Sequence, residues 1–348
     1  MEKLLSIIVP SYNMEALLPA CCASFVVSDA SLLQQIEVLV VNDGSTDNTL
    51  SVVQRFAAQY PSTFRVIDKP NGNYGSCVNR GLQEATGRFV RVVDADDQVD
   101  TKGLEELVRT LGALADDIDL VLTDYETIDL QGQRNGRHAY RLPDGAFTLD
   151  AIDTNQVRCD LHALTYRRSV FDRFSYHQSE GISYTDTEWL TVPMAFVRQA
   201  TYLPIVVTLY LVGREGQTME PRIYARRFGQ VVQIVERLIS EFESISARAE
   251  NTSKKYYAHL VAYAINMVFS ARIFGVGSGV RVDVNLEELD ALIKKCSPTL
   301  FVETEQFRAP SNHFPLRVMH AYRRWRTIYD PAILAFKFYM FICKRFVR

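Results

Sequence analysis

An α/β fold, with a mostly parallel central sheet flanked by helices and a helical C-terminal region, is predicted by three observations. Strand and helix patterns alternate regularly over the first hundred residues. Residues 36–41 (IEVLVV) form a nearly continuous apolar run, as expected of a strand covered on both faces. Every unusual turn in this stretch follows the carboxyl end of a strand, the edge at which such sheets bind ligands.

Residues 5–9 read as the first strand, ending in Pro10-Ser11-Tyr12-Asn13, and residues 15–28 have helical spacing. The strand at 36–41 ends in Asn42-Asp43-Gly44-Ser45-Thr46-Asp47, a turn rich in helix-capping residues, and residues 49–59 continue as a helix. A third strand at 64–67 precedes the Asn/Gly-rich stretch 71–75, and a helix spans 76–85. The fourth strand, 89–93, runs into Asp94-Ala95-Asp96-Asp97. A further strand is expected at 120–123, then hairpins over 124–150 with turn signals at Gln131-Gly132 and Asp144-Gly145. The segment 154–220 is mixed, with a helix at 189–197. From 222 to 310 apolar residues recur at helical spacing, clearest in 228–238 and 259–274, with short loops near 275–279. These patterns divide the chain into a domain at 1–220, a helical region at 221–312 and a tail at 313–348.

Composition narrows the function classes. The 348 residues are 47% hydrophobic, enough for a sizeable core, and the net charge of −3 gives no reason to expect nucleic-acid binding. Cys21, Cys22, Cys77, Cys159, Cys296 and Cys343 are scattered without a CxxC pair, which argues against a zinc site and for reduced thiols. The N-terminal apolar run is too short for a signal-peptide core, and no long uncharged apolar stretch reads as a transmembrane helix. A cytoplasmic protein is expected.

Chemistry concentrates at the four strand ends. Three carboxylates packed behind a buried strand repel one another, at a cost unless a cation or hydrogen-bond donors neutralise them. Hard cations such as Mg²⁺ take carboxylate oxygens together with substrate phosphate oxygens; an acidic helix cap is the plainer reading. Asp43 sits where it can accept hydrogen bonds from a base or ribose, or simply cap a turn. In Asn71-Gly72-Asn73-Tyr74-Gly75-Ser76, glycines allow close backbone approach and a helix N-terminus offers N–H donors. The stretch is not a Walker loop, since the Gly-Lys-Ser/Thr ending is missing.

Taken in order, these motifs resemble those of the family 2 glycosyltransferases of the GT-A fold. The matching elements are Val9-Pro10-Ser11-Tyr12-Asn13, Val40-Val41-Asn42-Asp43-Gly44-Ser45-Thr46-Asp47, Asn73-Tyr74-Gly75-Ser76 with Asn79-Arg80-Gly81, and Ala85-Thr86-Gly87 before Val93-Asp94-Ala95-Asp96-Asp97. The resemblance is strong over residues 4–125, weaker to about 215, and unspecific beyond. It implies a UDP-sugar donor and a saccharide acceptor, lipid-linked or free, in surface polysaccharide assembly. Pro10, Tyr12, Asn13 and Asp43 would line the base and ribose pocket, with Asn73, Gly75 and Ala95 also on the donor side. Asp96 would hold Mg²⁺ or Mn²⁺ on the donor diphosphate, Asp94 would contact ribose or metal, and Asp97 remains readable as a cap.

The segment Gly181-Ile182-Ser183-Tyr184-Thr185-Asp186-Thr187-Glu188-Trp189 resembles the family's Glu-Asp motif, which makes Asp186 the candidate base for an inverting transfer. Thr185 stands where the Glu is usual. The alternative is that Asp186 and Glu188 serve a helix N-terminus. Trp189 packs under an acceptor sugar or belongs to the core. His162 reaches an acceptor or metal, or is structural. Tyr210 with Arg214, Gln217 and Thr218 resembles a Tyr…Arg…Ser element whose Arg grips phosphate; an exposed loop arginine is the alternative.

The tail interleaves Arg317, Arg323, Arg324, Arg326, Lys337, Lys344, Arg345 and Arg348 with Phe314, Tyr322, Trp325, Tyr329, Phe336, Phe338, Tyr339, Phe341 and Phe346. That pattern predicts an interfacial membrane anchor rather than a spanning helix, or else a helix packed on the core. Two rival functions remain. A sugar-phosphate nucleotidyltransferase would want a basic Gly-rich loop after the first strand, which Pro10–Asn13 lacks. A non-catalytic nucleotide-sugar or glycan-binding module would be expected to lack Asp96 or Asp186, and both are present.

Overall fold

The computed structural model describes residues 2–154, 157, 159–276, 279–308 and 317–325. These fall into two compact units. The first takes residues up to 153, 157–215 and 249–254; the second takes 154, 216–248 and the described residues from 255 on.

The first unit is built on one sheet of ten strands: β1 (Leu5–Ser11), β2 (Ile36–Asp43), β3 (Phe64–Lys69), β4 (Phe89–Val92), β5 (Gln98–Val99), β6 (Ile118–Ile128), β7 (Arg134–His138), β8 (Ala146–Phe147), β9 (Leu164–Arg167) and β10 (Gln199–Leu211). The order is β3-β2-β1-β4-β9-β6-β10-β5, with β7 on β6 and β8 on β10. β3, β2, β1 and β4 are mutually parallel, in registers such as Val9 opposite Val40. β9 enters antiparallel to both β4 and β6, and β10 returns parallel to β6. Helices α1 (Leu18–Ser24), α2 (Ala30–Leu33), α3 (Thr49–Gln59), α4 (Asn73–Glu84), α5 (Thr101–Ala113) and α6 (Asp186–Thr191) accompany the strands. β1 and β2 are buried at every position, which is why their sequences lack the alternation of a one-sided strand. α4 lies close against β1: a Cβ on Gly81 would stand 2.5 Å from the Ile8 side chain.

Several elements depart from expectation. The helix expected over 15–28 is limited to Leu18–Ser24, with Pro19 in its first turn. α4 begins at Asn73, so Asn73, Tyr74 and Gly75 belong to the helix rather than to a preceding loop. β6 extends to Ile128 and forms the expected hairpin with β7, whose turn is fixed by Gln131 and Gln133 N–H groups donating to Asp129 Oδ1, each at 2.9 Å. No hairpin forms around Gly145; β8 instead pairs with β10, Phe147 opposite Ala200. The helix expected at 189–197 ends at Thr191, because Pro193 follows, and a 3₁₀ turn covers Pro193–Phe196. β10 escaped the sequence reading because Pro204 and register shifts break its alternation.

The second unit is helical: α7 (Pro221–Arg226), α8 (Phe228–Arg248), α9 (Lys254–Phe274), α10 (Leu286–Cys296), α11 (Pro298–Gln306) and α12 (Val318–Trp325). Phe242 and Tyr257 stack across α8 and α9 at 5.3 Å. The start of α10 is capped by Asn285, and that of α11 by Ser297, whose hydroxyl accepts from Leu300 N–H at 2.9 Å. No helix among the described residues is long and apolar enough to cross a membrane.

Candidate functional site

Parallel pairing brings the carboxyl ends of β3, β2, β1 and β4 to one edge. The first two turns are knitted together there. Asn13 N–H donates to Ser45 Oγ at 3.0 Å, and Thr46 N–H donates back to Asn13 Oδ1 at 2.8 Å. Pro10 is buried at the end of β1, while Tyr12 is 47% exposed. Asp43 is 3% exposed, and its Oδ1 accepts from Lys69 Nζ at 2.5 Å and Gly72 N–H at 2.9 Å. Lys69 also donates to Ser76 Oγ at 2.7 Å. Asp43, the last residue of β2, therefore fixes the turn into α4. Lys69 was not singled out from sequence; its only signal is a lysine closing a strand.

Among the described residues, the non-glycine positions with positive φ are Asn13 (53°), Asn73 (65°) and Tyr184 (67°). Asn13 and Asn73 are themselves predicted site residues and Tyr184 stands two residues before Asp186, where a bulky Tyr at positive φ is costly. Gly75 has a different role from the one expected. A Cβ there would stand 2.0 Å from the Ser179 carbonyl oxygen, so the close approach it permits is to the chain's own backbone.

The acidic cluster lies on this edge. Tyr74 OH donates to Asp94 Oδ1 at 3.0 Å. Burial, and next the charge of Asp96, push the Asp94 carboxyl up to about 7, against the Tyr74 bond that favours ionisation. Ala95 is 2% exposed and its side chain packs into the core. Asp96 is half-buried and accepts from Arg214 Nη2 at 2.9 Å. Asp97 is fully buried and is not the helix cap; Asp100 caps α5, accepting from Gly103 N–H at 2.8 Å. Asp97 Oδ1 instead accepts from Leu211 N–H of β10 at 2.9 Å, and burial with the neighbouring aspartates pushes its carboxyl well up.

Asp186 opens α6 and is half-buried, with burial raising its carboxyl above the usual range. Its charge acts on Asp94, and the charges of Asp94, Asp96, Asp97 and Asp186 together raise the Tyr210 hydroxyl, which burial first pushes up, to about 12. The candidate base and the acidic turn thus share one electrostatic neighbourhood, although 90 residues of chain separate Asp96 from Asp186.

Other candidates resolve into supporting roles. His162 stacks on Tyr210 at 4.2 Å, and its Nδ1 stands 3.4 Å from Asp97 Oδ2. Burial lowers it to about 4, so the ring stands neutral beside Asp97. Glu188 is 2% exposed; its carboxylate accepts from Ser179 N–H at 2.6 Å and Ser179 Oγ at 2.7 Å, so it shapes the loop before α6. Trp189 is fully buried, stacked on Phe171 at 5.1 Å and edge-on to Tyr166 at 5.4 Å, which excludes it as a platform for an acceptor sugar. Sequence reading missed Tyr74 as the partner of Asp94, and missed Arg91. The Arg91 guanidinium is fully buried between the hydroxyls of Thr165 and Thr208, at 2.8 and 2.9 Å, and also donates to the His162 carbonyl. No local pattern announces such a partnership.

Residues 6–174 match the model of glycosyl transferase family 2. An uncharacterized glycosyltransferase of Escherichia coli, YibD, is 36% identical over 209 residues, covering 57% of this chain and 58% of that protein. The minor teichoic acid biosynthesis protein GgaB of Bacillus subtilis is 30% identical over 116 residues, 33% of this chain and 13% of its own length. The chain thus matches little more than half, or less, of these relatives. Among solved structures, S. aureus TarS residues 1–349 in complex with UDP-GlcNAc superposes with a TM-score of 0.56 at 18% identity, covering 92% of both chains. That likeness shows the fold, GT-A. Residues 6–174, just under half of the chain, carry the match to glycosyltransferase family 2.

Proposed function

We propose that the protein is a metal-dependent, inverting glycosyltransferase that moves one sugar from a UDP-sugar to a saccharide acceptor, lipid-linked or free, during surface polysaccharide assembly. The observation that carries this reading is the gathering of Asp94, Asp96 and Asp186 at the carboxyl edge of the parallel strands. The family match supports the reaction class. The UDP-GlcNAc complex of TarS and the teichoic acid context of GgaB support the donor and the setting.

In this reading the acceptor hydroxyl oxygen bonds to the anomeric carbon as the bond to the diphosphate oxygen breaks. The Asp186 carboxylate takes the acceptor proton, and burial, by raising its pKa, makes it a stronger base than an exposed Asp. Pro10, Tyr12, Asn13 and Asp43 line the nucleoside side, and Asn73 opens the helix that faces the diphosphate.

The donor set fits a hard cation. Asp94 and Asp96 are neighbouring carboxylates, and burial with mutual repulsion already raises Asp94. Among the described residues no group of three or more His, Cys, Asp and Glu is arranged as a metal cage. Mg²⁺ or Mn²⁺ held by Asp96 and Asp94 would take its remaining ligands from phosphate and water, as Mg²⁺ sites commonly do. When bound, the cation supplies positive charge to the leaving diphosphate. Arg214 would add a second charge there. The basic, aromatic sequence at 326–348 would keep the protein at the cytoplasmic membrane face, near a lipid-linked acceptor.

The test is a thermal-shift and hydrolysis screen of nucleotide sugars with and without Mn²⁺. UDP-sugars are expected to raise Tm and to be hydrolysed slowly only with the metal. A screen in which no nucleotide sugar shifts Tm would sink the proposal.

A further inference from the structure

Asn79 lies on α4, a hundred residues before the loop that leads into α6, yet it makes three hydrogen bonds to that loop. Its Nδ2 donates to the Gln178 carbonyl at 2.9 Å and to Glu180 Oε1 at 2.8 Å. Its Oδ1 accepts from Gln178 N–H at 2.8 Å. The amide is thus used on both faces, and the residue is 7% exposed. Hydrogen bonds of this kind, removed from water, fix geometry more than they add net stability.

The surrounding contacts continue the same clasp. Gly181 N–H donates to the Gly72 carbonyl at 2.8 Å, just before α4 begins. Gly75 lets the Ser179 carbonyl approach to where its own Cβ would stand. The Gln178 side chain donates to Thr185 Oγ1 at 2.9 Å, at the residue preceding Asp186. Glu188, in the first turn of α6, holds Ser179 by its N–H and hydroxyl. The chain from 178 to 188 is therefore folded on itself and pinned to α4. Asn79 supplies the side-chain pins that come from α4.

We propose that Asn79 is a positioning residue, which holds the segment carrying Asp186 against the helix facing the donor. The inference rests on the reading of Asp186 as the base. The same clasp couples the two halves of the reaction: α4 starts at the donor edge, and its middle sets where the base stands. Reaction rates fall steeply when a base is displaced by about an ångström. Loss of the clasp should therefore lower the rate of transfer and leave donor binding alone.

The experiment uses the full chain with Asn79→Ala. Amide hydrogen exchange over residues 178–186 is expected to speed up at least tenfold. With UDP-GlcNAc and Mn²⁺, kcat should fall at least tenfold while the donor KM and the UDP affinity by calorimetry stay within twofold. Unchanged exchange in this segment would overturn the proposal, as would kcat and UDP affinity falling together. If Asn79→Ala does not fold, Thr185→Val removes the acceptor of the Gln178 side chain and is expected to show a smaller change of the same kind; no change in exchange or kcat counts against the clasp. A wild-type chain that neither binds UDP nor turns over any donor defeats the glycosyltransferase reading instead, while the exchange result still decides whether Asn79 holds the segment.

Discussion

Arg214 donates to Asp96 across 2.9 Å, joining the segment after β10 to the turn after β4 over 118 residues of sequence. Both were singled out for the donor diphosphate, Asp96 through a metal and Arg214 directly. Each is partly exposed, so their pairing contributes at most about 1 kcal/mol. A diphosphate with its cation can exchange that pair for stronger contacts at little cost. Asp96→Asn should therefore abolish the Mn²⁺ dependence of UDP binding in calorimetry. Thermal stability should hold or rise, because one of several crowded carboxylates is gone. Mn²⁺-dependent binding at wild-type strength would remove Asp96 from the metal site.

Asp186 makes a prediction with a sign. A base acts as the carboxylate, and burial holds this carboxyl above the usual range. Transfer should fall as pH drops through a value above the roughly 3.9 of an ordinary Asp. The acid limb of kcat against pH reads this directly, and a limb at or below that value would point to another base. Asp186→Asn should retain UDP binding and lose about 10²- to 10⁴-fold in transfer.

Trp189 separates packing from acceptor recognition. Its ring is buried among Tyr166, Phe171 and Tyr176. Trp189→Ala should cost about 3–5 kcal/mol in denaturant unfolding. Trp189→Phe, which keeps an aromatic ring in the cluster, should be milder and should leave the acceptor KM within twofold. A large rise in acceptor KM without loss of stability would return Trp189 to the acceptor site.

What the sequence revealed, and what it hid, follows from the range of the interactions. β1, β2 and β4 were legible because full burial writes itself into a mostly apolar run, broken only by Ser6, Glu37 and Arg91 within their apolar stretches. The turns at Asp43 and Asp94 were legible because loop chemistry is local. β10 was not, since Pro204 and its register shifts are tolerated only through pairing with β6 and β5. Glu188 and Trp189 looked functional because they neighbour Asp186 in sequence, while α6 turns them away into a loop and an aromatic core. Lys69, Tyr74 and Asn79 act through partners 20 to 101 residues away, and no spacing rule reports that.

The C-terminal tail was expected to be a membrane anchor over 313–348, and its described part behaves otherwise. Arg323 of α12 donates to Asp290 Oδ1 at 2.8 Å, the Phe301 carbonyl at 2.8 Å and Thr304 Oγ1 at 3.0 Å, and lies 3.6 Å over the Phe301 ring. Tyr322 meets Phe269 edge-on at 5.0 Å. α12 is thus part of the helical core, and Arg323 is not available to lipid headgroups. The anchor expectation now rests on residues 326–348, outside the described residues, where Lys337, Lys344, Arg345 and Arg348 alternate with aromatics. Each such cation near an anionic surface is worth about 1 kcal/mol. Truncation after residue 325 should abolish co-sedimentation with anionic vesicles while leaving Tm and UDP binding unchanged. Truncation before 313 should also lower Tm, because it strips α12 from Phe269 and Phe301. A chain ending at 325 that still pellets with the vesicles would rule out the tail as the anchor.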